Sequence, residues 1–468
     1  MREMMNNAPV WDKDLIHRYN QSGPRYTSYP TAVQFDSHFD IQKYHDNAQL
    51  SANSIKPLSL YFHIPFCSHV CYYCACNKIV TKHRERSNIY LEYLYHEIEM
   101  QSALYSHEQK VEQLHFGGGT PTFLSREQIT GLMKHISQHF HLTHSDTADY
   151  SIELDPREVD WPMMSTLRDL GFNRISMGVQ DLNPRVQEAV NRVQPESMIL
   201  SVLDASRAMA FRSVHMDLIY GLPFQTTSSF METIDRVIDM APDRLSLFNY
   251  AHLPHRFKPQ RRISEQDLPA PEVKLEILQR ATEKLLDQGY IYIGMDHFAL
   301  PDDELAIAQE EGSLHRNFQG YTTHSHCDLI GMGISSISQV GDTYIQNSTD
   351  EAQYYSMINE KQLPMVRGLK MTTDDKVRQA VITQLICHFQ LKLSHIENQF
   401  GIQFRDYFRD ELGRLEPMIN DGLVSLSSDN ILEVLPRGKI LIRNICMQFD
   451  HYLNQPLMKE RPLYSKVI

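Results

Sequence analysis

The chain has no apolar run of about eighteen residues, the length a helix needs to cross a bilayer, which excludes a helical membrane span. Its opening, Met1-Arg-Glu-Met-Met5 and then Trp11-Asp-Lys-Asp-Leu15, has no signal-peptide core, so a cytoplasmic location is expected. Positive charge is in short supply: 45 Lys and Arg stand against 58 Asp and Glu, a formal net charge of −13. That balance excludes a general nucleic-acid binder, and a polyanionic substrate would need a local basic pocket. Cysteine is scarce too, seven in 468 residues, yet four of the seven fall within ten residues. With 42% hydrophobic and 22% charged residues, the chain is long enough for one large globular domain and a smaller one.

Those ten residues are Cys67-Ser-His-Val-Cys71-Tyr-Tyr-Cys74-Ala-Cys76, directly after the strand-like run Ser59-Leu-Tyr-Phe-His-Ile-Pro-Phe66. Clustered thiolates favour zinc, copper(I) or iron–sulfur clusters. A disulfide cluster is disfavoured without a secretory signal. A four-cysteine zinc site is possible, but such sites usually split into two separated knuckles. A cluster held by Cys67, Cys71 and Cys74, with one iron left open, fits the spacing best. Cys327, Cys387 and Cys446 are scattered and read as ordinary thiols.

From Ser59, short apolar or β-branched runs alternate with amphipathic stretches. Strands are expected at 59–64, 113–116, 150–154, 174–177, 214–219, 244–249 and 290–293. Helices are expected near 88–106, 126–140, 161–170, 197–210, 227–241 and 272–288. Ser125 with Gln128 forms a capping-box pattern, and Pro162 suits a first helical turn. Repeated βα units predict an α/β fold, a complete or partial TIM-like barrel with a parallel sheet. Before it, 1–54 reads as an arm punctuated by Gly23-Pro24 and Tyr29-Pro30. The barrel takes 55–367, and a mainly helical, winged-helix-like segment takes 368–468. There Ser394 and Glu397 suggest a helix cap, and 422–426 with 431–435 a hairpin.

Barrel chemistry collects at the C-terminal ends of the strands. Those ends carry Gly117, Gly118 and Gly119, then Glu153, Gln180, Asp217, Asn249-Tyr-Ala251-His252 and Asp296-His297-Phe298. Gly117-Gly-Gly-Thr-Pro is neither a Walker loop nor a dinucleotide fingerprint, but glycines after a strand let a ligand approach the backbone. Strand-end carboxylates suit ribose hydroxyls. His63, on the first strand, reads as a packed histidine more than a catalytic one.

The Cys-x3-Cys-x2-Cys loop resembles that of the radical S-adenosylmethionine enzymes. With Cys76, Asn77-Lys-Ile-Val80, Gly23-Pro-Arg-Tyr-Thr-Ser-Tyr-Pro-Thr31 and Gly117-Gly-Gly-Thr-Pro-Thr122, it resembles their oxygen-independent coproporphyrinogen III oxidase family from about Tyr19 to the C-terminus. The resemblance implies a [4Fe–4S] cluster on Cys67, Cys71 and Cys74 and two molecules of S-adenosylmethionine. Tyr61, Gly118, Glu153 and Ile337 would hold the first. Tyr73, Gly119, Thr120, Gln180, Arg192, Asp217 and Ala251 match positions for the second. Cys67, Cys71, Cys74 and Tyr61 are the implied catalytic set. Arg25, Arg316, Phe318 and Gln319, the last three within Arg316-Asn-Phe-Gln-Gly-Tyr321, are candidate substrate contacts. The family usually has glycine where this chain has Ala75, between the third and fourth cysteines.

The implied reaction is anaerobic oxidative decarboxylation of two propionates of coproporphyrinogen III. The implied partners are the tetrapyrrole and a flavodoxin- or ferredoxin-type electron donor, with no nucleic acid and a monomeric chain. The rival is a haem chaperone of the same superfamily. Such relatives lack the fourth cysteine and the Arg-Tyr-Thr-Ser-Tyr-Pro arm, which this chain has at Cys76 and 25–30. A zinc protein with DNA affinity is a third reading. It is opposed by Phe404-Arg-Asp-Tyr-Phe-Arg-Asp-Glu-Leu412, too acidic to face phosphate, so 368–468 is expected to be a helical cap.

Overall fold

The computed structural model describes residues 8–143 and 148–454. Met1–Met5, read above for a signal core, and the end of the 368–468 segment lie outside them. The chain forms two compact units, each discontinuous in sequence. One gathers Phe35–Arg280 and His326–Lys370; the other gathers Met1–Gln34, Ala281–Ser325 and Met371–Ile468. A contiguous division at 54 and 367 therefore differs from the packing in two places: 35–54 lies with the sheet, and 281–325 with the C-terminal residues.

The first unit is built on six parallel strands, β1 (Leu58–Ile64), β2 (Lys110–Gly118), β3 (Asp149–Leu154), β4 (Arg174–Gln180), β5 (Ser213–Tyr220) and β6 (Arg244–Asn249). Each pairs in parallel with its successor, so each connection is a βα crossover. The crossover helices are α1 (Arg86–Ser102), α2 (Arg126–His139), α3 (Trp161–Asp169), α4 (Glu196–Ala208) and α5 (Thr227–Met240). The Ser125/Gln128 capping box forms, and Pro162 sits in the first turn of α3.

Alternation along the strands sorts the two sheet faces. Leu60, Phe62 and Ile64 of β1, Leu114 and Phe116 of β2, and Ile152 of β3 are fully buried, each contributing about 1.5–3 kcal/mol. The Phe62 and Phe116 rings meet edge-on with centroids 5.2 Å apart. The opposite parity carries Tyr61, His63, His115, Ser151, Glu153, Ser176, His215, Asp217 and Ser246. This polar face of a partial barrel is where the site is built.

The far side of β1 departs from the sequence-based expectation. β7 (Asp328–Met332) pairs parallel with β1, followed by antiparallel β8 (Ile337–Val340), β9 (Thr343–Asn347) and β10 (Met365–Lys370). Gly331 lies inside β7, where a Cβ would meet the Ile337 backbone oxygen at 2.5 Å. The run at 290–293 is not a seventh βα strand either. Ile291–Gly294 forms an antiparallel hairpin with His297–Ala299, turned through Met295 at φ +57°.

In the second unit the arm packs on the C-terminal residues. Arg443 donates to the Gly23 and Pro24 carbonyls, Tyr26 Oη donates to Asp450 at 2.9 Å, and Asn444 Nδ2 donates to the Tyr19 carbonyl at 2.7 Å. The hairpin at Val424–Leu426 and Ile431–Val434 forms as expected, and Gln390–Lys392 adds a third strand. That strand runs straight into helix Leu393–Phe400, whose N-cap is Lys392. Ser394 is therefore inside the helix rather than its cap, and Glu397 accepts from the Phe404 amide at 2.9 Å.

Candidate active site

The cysteine loop leaves β1 at Pro65 and is fastened at both edges. Phe66–Cys67 pair with Ile79–Val80, Tyr72 N donates to the Val190 carbonyl at 2.9 Å, and Asn191 Nδ2 donates to the Val70 carbonyl at 2.8 Å. The glycine run after β2 packs directly beneath. Gly119 N donates to the Ile64 carbonyl and Thr120 N to the Phe66 carbonyl, at 2.9 and 2.7 Å. A Cβ on Gly119 would lie 2.6 Å from the Pro65 carbonyl oxygen; one on Gly118, at φ +114°, would lie 2.6 Å from the His63 ring. Both glycines are demanded by the protein's own packing, whatever else approaches them.

Each thiol has a polar neighbour. Cys67 Sγ is 3.6 Å from the Thr120 hydroxyl. Cys71 Sγ, buried, accepts from Arg157 Nη2 and Arg192 Nη1, each at 3.5 Å. Asp155 closes the group, accepting from Arg157 at 2.7 Å and Arg192 at 3.0 Å. Burial pushes its carboxyl up, but the two guanidiniums outweigh burial and hold it down at about 2. A hydrogen bond from Cys76 pulls the Cys74 thiol down to about 5 against burial, and Cys76 is raised by the same partner. Soft sulfur donors on one anchored loop, backed by cationic donors, fit an iron–sulfur cluster on Cys67, Cys71 and Cys74.

Beside the loop, Tyr61 Oη donates to His63 Nδ1 at 3.1 Å, and His63 Nε2 donates to the Asn77 carbonyl at 2.9 Å. Burial lowers the His63 pKa, so the ring is neutral and both nitrogens are used, as expected of a packed histidine. Tyr61 stacks on His115 at 5.8 Å, and β1 pairs it with Gly331, against which Ile337 lies. Glu153 accepts from Gly118 N at 3.0 Å and lies 3.4 Å from His115 Nε2. Tyr61, Gly118, Glu153 and Ile337 thus share one neighbourhood.

The second expected group is connected in a way the sequence did not reveal. Gln260 Nε2 donates to the Tyr73 carbonyl at 2.9 Å and the Ala251 carbonyl at 3.3 Å, tying the cysteine loop to the end of β6. Asp217 accepts from Ser176 Oγ at 2.9 Å, with His215 Nε2 3.3 Å away; burial raises its pKa, but His215 and the hydroxyls bring it below the ordinary value. Gln180 closes β4 at φ +66°. Among the described residues, Gln180 Oε1 and Arg192 Nε are buried with no hydrogen-bond partner. Thr120 and Arg192 already bond Cys67 and Cys71, a use the expectation did not include. Asp155 was within reach of the strand-end rule, since it follows β3 directly; Arg157 and Gln260 carry no local signal.

The substrate candidates lie in the other unit. His315–Asn317 and Gly320–Thr322 form a hairpin with Phe318 and Gln319 at its turn. Arg316 is 8% exposed, its guanidinium 4.6 Å from the Tyr321 ring centroid. Among the described residues, its Nε and Nη1 and the Gln319 Nε2 are buried without a hydrogen-bond partner. Arg25, by contrast, is bound to Asp296 at 3.0 Å.

Residues 61–237 match the Radical SAM superfamily and residues 371–441 the HemN C-terminal domain. Over 461 residues the chain is 56% identical to the oxygen-independent coproporphyrinogen III oxidase of Pseudomonas aeruginosa, covering 98% of this chain and 99% of that one. Over 458 residues it is 49% identical to the Escherichia coli protein of the same name, covering 98% of each. The solved structure of Escherichia coli coproporphyrinogen III oxidase (HemN), a radical SAM enzyme, superposes with a TM-score of 0.91 at 48% identity, covering 95% of this chain and 100% of that one.

Proposed function

Because the chain belongs to the oxygen-independent coproporphyrinogen III oxidase family of radical S-adenosylmethionine enzymes, we propose that it decarboxylates two propionates of coproporphyrinogen III to vinyl groups, giving protoporphyrinogen IX for haem biosynthesis. Membership makes it an oxidoreductase that uses a [4Fe–4S] cluster and S-adenosylmethionine. The observation that carries the reading is the anchored cysteine loop with two guanidiniums on Cys71, set against the glycine run.

When bound, a reduced cluster with adenosylmethionine would supply the one-electron chemistry needed to remove a hydrogen atom from a propionate. Cys67, Cys71 and Cys74 would hold the iron, and Arg157, Arg192 and Thr120, which hydrogen-bond two of the sulfurs, would offset their charge. Glu153, anchored by the Gly118 amide, keeps lone pairs for the donor groups of the first adenosylmethionine, beside Tyr61 and Ile337. The second is supported by Asp217, kept ionised by its neighbours, and by the unused Gln180 Oε1 and Arg192 Nε. Arg316 offers unused N–H groups to a propionate carboxylate, which a guanidinium matches bidentately; Phe318 and Gln319 line the same hairpin, and Arg25 joins them as a second cation. A flavodoxin- or ferredoxin-type donor, a monomeric chain and a cytoplasmic location complete the proposal. The described residues include no helix long and apolar enough to cross a membrane.

The test is anaerobic turnover of the iron-reconstituted protein with reductant, adenosylmethionine, an electron acceptor and coproporphyrinogen III, with products separated by chromatography. Deoxyadenosine together with doubly decarboxylated product is the expected result. Deoxyadenosine with intact tetrapyrrole would overturn the substrate assignment and favour a haem carrier.

A further inference from the structure

Among the described residues outside the cysteine loop, two groups of three donors have ligand atoms within 4.8 Å of one another: Glu99, His135 and His139, and Glu112, His326 and Cys327. The second is already satisfied as a hydrogen bond, His326 Nε2 to Glu112 at 2.7 Å. In the first, His135 Nε2 donates to the Tyr95 carbonyl at 3.3 Å and stands 3.6 Å from Glu99 Oε1, so no hydrogen bond joins the two side chains.

We propose that Glu99 of α1 and His135 and His139 of α2 form a binding site for a divalent cation of the zinc class, bridging the two helices. Two histidines four apart on one helix face the same side, and their ring centroids are 4.4 Å apart. His139 donates Nδ1–H to the His135 carbonyl at 2.9 Å, which leaves the Nε2 lone pair outward, the arrangement metal-bound histidines adopt. Imidazole and carboxylate suit zinc, and three protein donors leave a fourth tetrahedral position for water. His96 Nδ1, 3.3 Å from Glu99 Oε2, stands near as a further donor.

The helices are held in register without the ion. Gln128 of α2 donates to Ser87 and Asn88 of α1 at 2.8 and 2.7 Å. The Tyr95 ring packs on His135 at 4.5 Å. Donors on rigid elements bind metal with little reorganisation.

The cluster-loaded protein would be dialysed anaerobically against stoichiometric Zn2+, bound zinc counted by elemental analysis, and the zinc-edge X-ray absorption recorded. The wild type should retain one more zinc per chain than His139→Gln or Glu99→Gln, with imidazole scattering and no sulfur in the shell. All cysteines are intact in both variants, so the difference isolates this site. Equal zinc in wild type and variants, or a sulfur shell, would overturn the proposal. Should a variant fail to fold, the wild-type absorption spectrum alone decides.

Discussion

Asp155→Asn tests the charge arrangement around Cys71. The carboxylate is 6% exposed and accepts from Arg157 Nε at 3.0 Å, Arg157 Nη2 at 2.7 Å and Arg192 Nη1 at 3.0 Å. Burial alone would raise its pKa, but the guanidiniums hold it at about 2, below the ordinary 3.8. The folded value is the lower one, so this stabilisation is complete above about pH 4 and is lost as pH falls through 2. At about 1.4 kcal/mol per unit, the shift corresponds to about 2–3 kcal/mol. Asparagine leaves two buried guanidiniums without a counter-ion, and breaking one side of such a pair costs about 3–5 kcal/mol. The two figures measure the same interaction and are not summed. Calorimetry under argon should show the variant melting several degrees lower between pH 5 and 8, with the gap closing below about pH 4. The reconstituted cluster should also titrate at a higher reduction potential, since one nearby negative charge is gone. A variant with wild-type melting and potential would refute the reasoning.

Cys67→Ala, Cys71→Ala and Cys74→Ala should each lose iron, sulfide and turnover, whereas Cys76→Ser should keep its iron on elemental analysis. Gly118→Ala forces a side chain to φ +114° and against His63; about 1–3 kcal/mol of strain should lower melting and raise the KM for adenosylmethionine. Arg316→Gln removes charged donors, each worth about 1.5–3 kcal/mol to a bound carboxylate, so the KM for the tetrapyrrole should rise tenfold or more, with Arg316→Lys in between. Glu97, fully buried, has its carboxyl pushed by burial from 4.5 to about 7, so its contribution is complete below about pH 4.5 and lost as pH rises through 7. The melting advantage of wild type over Glu97→Gln should therefore shrink from pH 5 to 8, and a pH-independent difference would count against it.

The βα part of the fold was legible because its signal is local. Each of β1 to β6 is an apolar run bounded by turn residues, and α2, α3 and α5 carry side-chain caps at Ser125, Asp160 and Thr226, so their boundaries agree with the sequence pattern to within a few residues. β7 to β10 escaped for the opposite reason. Asp328–Met332 contains Gly331, and Thr343–Asn347 is largely polar, so neither run looks buried. Yet both are buried along their whole length, because neighbours distant in sequence enclose them. Ser394 and Glu397 show the converse error: the spacing of a capping pair sits inside a helix whose start is set by the strand Gln390–Lys392.

At the site, the residues that bond along one loop were readable and those that join loops were not. Cys67, Cys71 and Cys74 announce themselves by spacing. Nothing near Arg157 or Gln260 in the chain tells that one reaches Cys71 Sγ and the other joins Tyr73 to Ala251. The glycine run is the instructive middle case. Its sequence suggested room for a ligand, while its geometry shows each missing Cβ already answered by protein, the Pro65 carbonyl for Gly119 and the His63 ring for Gly118. A ligand and a packed loop can both require glycine, since either needs backbone without a side chain in the way. Glycine therefore marks close approach, and only the contacts tell whether the approaching group is cofactor or chain. The Gly118 amide is spent on Glu153 and the Gly119 amide on Ile64, so a hydrogen bond that either residue offered an adenosylmethionine would come from its carbonyl, which pairs with the ammonium of an amino acid and not with its carboxylate.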